Sequence, residues 1–344
     1  MPERAEIQLP NEREQLVNFT RARRALSEAP YKPGYLQKGI ILGLMTVLPD
    51  EVKSSGILNN PQRMAAVDAF GAYQVRANDR LDFEGAGRSD IGNIIDEARQ
   101  KERLSRFKLD VVLQALPEGD RSQVAEIIDT SLQEVEVVEK WIREKRDSKT
   151  LDFTAIDIYR NTVNAIENTS TTAMVLGPSR LSSHTLPIPE QQRDIQSILD
   201  KYAWVLGNHP ATSAERAVMI MHNLSMAAQV IDDLRGQKID NLLDIPTYAS
   251  GAKRLTGGDR KAARAILNAK IVAYKAKARE LGLGKLATEG SLGIVSTFET
   301  VGALVTRKAR SSDLMRRLVG KHLFLRELKY VDGELDIKRH AKTE

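Results

Sequence analysis

The chain has 344 residues, 42% of them hydrophobic and 28% charged, with a net charge of +5 and no cysteine. That length buries a sizeable core without staples, and the lack of cysteine excludes disulfides, thiolate metal sites and cysteine nucleophiles. The best apolar run, residues 39–48, is far too short to span a membrane.

Residues 1–18 are charged and polar, without the apolar core of a signal peptide, so the expected compartment is the cytoplasm. Residues 1–26 read as an N-terminal extension or first helix, and 27–344 as one helical domain. Residues 64–75 form an apolar stretch that runs into Asn78-Asp79-Arg80-Leu81-Asp82. On a helix, positions i, i+1 and i+4 put Asn78 and Asp82 on one face with Asp79 beside them. Three such oxygen-bearing side chains suit Mg²⁺, which keeps several waters and is completed by substrate phosphates. Gly85-Ala86-Gly87 ends this helix.

Pro117-Glu118-Gly119-Asp120 then opens a helix whose apolar repeat is Val124, Ile127, Ile128, Leu132, Val135, Val137, Val138 and Ile142. Residues 159–174 predict a further helix, with a face that is small and polar. Loops rich in Ser and Pro follow at 177–189 and 208–213, and Thr212 or Ser213 is placed to cap the next helix. That helix is apolar over 217–231 and ends in Asp232-Asp233-Leu234-Arg235-Gly236-Gln237-Lys238-Ile239-Asp240. Asp232, Gly236 and Asp240 share one face over two turns. Adjacent carboxylates on an apolar helix repel and cost desolvation, penalties that a bound cation relieves. Gly258-Asp259 opens one more helix, punctuated at its end by Gly282 and Gly284. No run of alternating strands is present, so the fold class is all-α.

The segment 301–344 carries eleven Lys or Arg against six Asp or Glu, which accounts for the whole net charge. Such a basic tail suits an anionic partner, a membrane surface or simply a solvated helix face. Few aromatics alternate with these charges, which argues against nucleic acid. The five His residues show no metal spacing. Thr256-Gly257-Gly258 is too short for a phosphate loop, and no Gly-x-Ser-x-Gly elbow occurs.

Two acidic motifs, each late in an apolar helix and far apart in sequence, resemble those of the class I isoprenoid synthases. This superfamily holds trans-prenyltransferases, squalene and phytoene synthases and terpene cyclases. Residues 78–82 resemble its first aspartate-rich motif, with Asn78 in place of the leading Asp. Residues 232–240 resemble its second motif, and Asp244-Ile245-Pro246-Thr247-Tyr248 resembles the segment that follows it. Gly236 departs from the pattern, since it stands where a side-chain oxygen is usual. The resemblance implies a single-domain bundle of the isoprenoid synthase type that uses Mg²⁺ to act on prenyl diphosphates. Asn78, Asp79, Asp82, Asp232, Asp233 and Asp240 are the expected metal ligands, with Asp79, Asp82 and Asp232 central to catalysis. Arg160, Arg235 and Lys238 are the expected diphosphate-binding cations; a surface Arg at a helix start is the competing reading for Arg160.

Phe70, Tyr73, Asn168, Thr169 and Gly236 are the expected pocket residues; Asn168 and Thr169 equally suit packing against a neighbouring helix. The Asp-Asp pattern and the Pro-Thr-Tyr segment favour a prenyltransferase, and the 5% aromatic content argues against a large cyclase cavity. A terpene cyclase, or a degenerate helical protein that binds an anionic partner through its basic tail, is the alternative. Homodimerisation and peripheral membrane contact are compatible with this reading; nucleic-acid binding is not expected.

Overall fold

The structure is a computed structural model that describes residues 9–84, 92–207, 209–243, 247–285 and 288. The chain divides into two compact units, Met1–Leu292 and Gly293–Glu344. The second unit, and with it the basic segment 301–344, lies outside the described residues. The described part is helical, with no strand.

Helix α1 (Glu12–Glu28) starts in a capping box, with Asn11 accepting from Glu14 N and the Glu14 side chain accepting from Asn11 N. It packs on α2 (Tyr35–Val47), which leads through a short α3 (Pro49–Ser54) into α4 (Pro61–Glu84). Helix α5 (Gly92–Gln114) packs along α4, and α6 (Glu118–Asp147) along α7 (Phe153–Leu176). Short helices α8 (Ser182–Thr185), α9 (Ile195–Lys201) and α10 (Ala203–Leu206) lead to α11 (Ser213–Leu243). Helices α12 (Tyr248–Leu255) and α13 (Arg260–Glu280) pack against α11 and against each other.

Several sequence signals do what they predict. Val124, Ile127, Ile128, Val138 and Ile142 of α6 are buried, and acidic Glu118 and Asp120 occupy its first turn, where the helix dipole favours them. Thr212 accepts from Glu215 N and caps α11. Asp259 accepts from the amides of Lys261 and Ala262 at the start of α13, and Gly282 ends that helix at φ 102°.

Helix α7 is the hub. From Asn168 to Leu176 every residue is buried, and α7 contacts α4, α6, α11 and α12. Its Ser, Thr and Ala side chains are small enough to admit neighbours on all sides. Gly251 of α12 is one such approach: a Cβ there would lie 3.0 Å from both Ile156 and Phe153. Helix α4 runs antiparallel to α7. Arg63, early in α4, donates to the Met174 carbonyl at 2.8 Å late in α7, and Asn78, late in α4, meets Arg160 early in α7. Gly71 lets α2 reach α4, since a Cβ there would fall 1.3 Å from Gln37 Nε2. Among the described residues, no helix is long and apolar enough to cross a membrane.

Candidate functional site

The first acidic motif closes α4, and its residues face three ways. Asn78 points at α7, where its Oδ1 accepts from Arg160 Nη1 at 2.5 Å. Asp79 lies nearer solvent, 42% exposed, paired with Arg76 at 3.1 Å. Burial still raises its carboxyl above the usual range, against the pull of Arg76, Lys101 and Arg160. Arg80 turns toward α5 and α6. It pairs with Glu84 at 2.6 Å, with Glu102, and with Glu139 at 3.5 Å. Burial pushes Glu139 up to about 7, against Arg80 and Arg143.

Arg160 is 4% exposed and lies over the Tyr159 ring, 5.4 Å from its centroid. The competing expectation of a surface arginine is therefore wrong, because this side chain is buried against its neighbours. Its charge acts on Asp79 of α4, on Glu167 of α7 and on Asp233 of α11. One residue of each acidic motif, Asp79 and Asp233, thus falls within the field of one buried guanidinium.

On α11 the two aspartates part. Asp232 is exposed. Asp233, expected as a ligand, is 4% exposed and serves the fold. Its Oδ1 accepts from Gln229 Nε2 at 2.9 Å and its Oδ2 from the Tyr248 amide at 2.7 Å, which caps α12. Burial raises its carboxyl above the usual range, against Arg160 and these hydrogen bonds. The backbone of α11 is helical through Leu243, so Asp232, Gly236 and Asp240 keep their common face. The side chains of Asp82, Arg235, Lys238 and Asp240, and the surroundings of Gly236, lie outside the described residues. Among the described residues no group of three His, Asp or Glu is placed to hold a metal ion.

Phe70 is fully buried in the hydrophobic core. Tyr73 faces α5, with the Arg106 guanidinium 5.8 Å from its ring centroid. At about 100° per residue it lies roughly 140° around α4 from Asn78. Thr169 falls about 180° around α7 from Arg160, and Asn168 about 80°, so Thr169 does not share the arginine's face. Asn168 donates to Asn164 O and Oδ1 at 2.8 and 2.7 Å. Both Asn168 Oδ1 and Thr169 Oγ1 are buried without a hydrogen-bond partner among the described residues.

The residue that sequence reasoning passed over is Glu167. It stands seven positions after Arg160, on the same face of α7, with Asn164 between. Burial pushes its carboxyl up to about 7, opposed by Arg160. Asn164 and Glu167 are partly accessible on a helix that is mostly buried, so this polar stripe borders open space. The i, i+4, i+7 spacing of Arg160, Asn164 and Glu167 was the available signal. No family model, no curated protein and no solved structure matches the chain.

Proposed function

We propose that the chain is an isoprenoid synthase that uses Mg²⁺ to act on prenyl diphosphates, and specifically a prenyltransferase forming a carbon–carbon bond through an allylic cation. One observation carries this reading: Arg160 binds Asn78 and acts on Asp79 and Asp233, so a single guanidinium reaches residues of both acidic motifs. A planar guanidinium held by burial is suited to grip phosphate oxygens in pairs.

The donors fit the ion in kind. Asp79 and Asp232 offer hard oxygen and reach solvent, which leaves room for the waters that Mg²⁺ retains. Asp82 and Asp240, on the same helices, complete the proposed donor set; Asp233 is left to its capping role. When bound, Mg²⁺ neutralises the diphosphate and makes it a better leaving group.

The protein's own part is positional and electrostatic. Arg160 orients the diphosphate and receives negative charge as the carbon–oxygen bond breaks. Asn78 fixes the guanidinium through its amide oxygen, which adds no charge of its own. The enclosing helices exclude water from the allylic cation, which is then attacked by an alkene and loses a proton. We place this activity in the cytoplasm.

The test is release of diphosphate from geranyl, farnesyl and geranylgeranyl diphosphates with and without Mg²⁺. Release only with Mg²⁺, together with longer diphosphates as products when an acceptor is added, supports the prenyltransferase. Cyclic hydrocarbons would assign the cyclase instead. No release from any of the three would leave a helical protein that has lost the chemistry.

A further inference from the structure

A second site lies on another face of α7. Helices α7 and α13 flank a cavity of about 330 Å³, within the size range of small-molecule sites. Helix α13 turns Lys270, Tyr274 and Lys277 into it, at i, i+4 and i+7 on one face. Helix α7 contributes Asp157 and Asn161, about 60° and 100° around the helix from Arg160.

The polar side of this cavity is almost fully matched. Asp157 Oδ1 accepts from Lys270 Nζ and from the Tyr248 hydroxyl, each at 2.7 Å. Asn161 donates to the Tyr274 hydroxyl at 2.9 Å, and that hydroxyl lies 3.0 Å from Asn161 Oδ1. The lining also includes apolar Leu199 of α9 and Leu206 of α10.

One charge is left over. Lys270 is neutralised by Asp157, but Lys277 makes no ion pair with a described residue. His222 of α11 is 3% exposed and within electrostatic reach of both Asp157 and Lys277. Burial, helped by Lys277, pushes its imidazole down to about 3, so it stays neutral. Among the described residues, the cavity therefore combines an ammonium that has no ion pair with apolar lining.

We propose that this cavity binds a small amphiphile with a single negative charge, a monocarboxylate whose head group meets Lys277 and whose apolar body lies along Leu199 and Leu206. A cation with no ion-pair partner among the described residues matches one negative charge better than the two of a phosphate monoester. The site is separate from the acidic helix ends and needs neither Mg²⁺ nor a diphosphate.

The test is calorimetric titration of the full chain with octanoate, with octanol as the uncharged control, in the absence of Mg²⁺ and diphosphate. One octanoate should bind per chain, and octanol at least tenfold more weakly. Lys277→Glu should weaken octanoate at least tenfold with an unchanged melting temperature, and Lys277→Arg should retain it. Lys277→Gln removes the charge without reversing it and should also weaken binding, which keeps the test intact if the reversal fails to fold. Equal binding of octanoate and octanol, equal binding by wild type and Lys277→Gln, or no binding at millimolar octanoate would each overturn the proposal. None of these outcomes bears on diphosphate release, so the two readings fail separately.

Discussion

Arg80 and Arg160 sit close to the same helix end and do different work. Arg80 is surrounded by Glu84, Glu102 and Glu139, contributed by α4, α5 and α6. Its charge is spent within the protein, and the result is a clamp between three helices. Arg160 is more deeply buried and bonds the neutral amide of Asn78. The carboxylates of Asp79, Glu167 and Asp233 act on it through charge. Arg80 thus ties three helices together, whereas Arg160 stands between the helices that carry the two acidic motifs.

The largest effect should come from the clamp. Arg80→Met strands partly buried carboxylates, a kind of loss that typically costs about 3–5 kcal/mol. Urea unfolding should show this, and a loss below about 1 kcal/mol would mean that the cluster is screened like a surface pair.

Arg160 should behave in the opposite way. Arg160→Ala should lower diphosphate release on the order of a hundredfold, while Arg160→Lys keeps charge but loses the paired grip and falls between. Equal activity in Arg160→Ala and wild type would erase the contrast between the two arginines.

The smallest of these effects concerns Glu167. Its carboxyl lies at about 7 in the folded chain against an ordinary 4.5, so the folded state holds the proton more tightly than the unfolded. The stability this proton supplies is complete below about pH 4.5 and is lost as pH rises through about 7. Glu167→Gln should therefore match wild type near pH 4 and exceed it at pH 8 by on the order of 1–3 kcal/mol. Equal stability of the two at pH 8 would place Glu167 in open solvent.

What the sequence made legible follows from range. The all-α class, the α6 stripe and the caps at Thr212 and Asp259 depend on residues a few positions apart, and all are present. The proximity of Asn78 and Arg160 spans 82 positions; the sequence supplied both residues as candidates but not their bond. The roles of Arg80 and Asp233 were hidden because their partners arrive from elsewhere. Glu102 and Glu139 lie on other helices, and the Tyr248 amide comes only after α11 has ended. The contact of Tyr73 with Arg106 was hidden for a related reason, since an aromatic on an apolar helix does not declare which neighbour it faces. Lys277 was unreadable as a site residue, because its meaning depends on Asp157 being committed to Lys270.

The central claim is that the ends of α4 and α11 jointly take up a metal-bound diphosphate. Thermal unfolding in the presence of Mg²⁺, of inorganic diphosphate, and of both tests it most directly. The account predicts that the two together raise the melting temperature by more than the sum of their separate shifts, because each completes the other's site, and that Asp79→Ala removes this excess. Additive shifts in the wild type, or the same excess in Asp79→Ala, would contradict it.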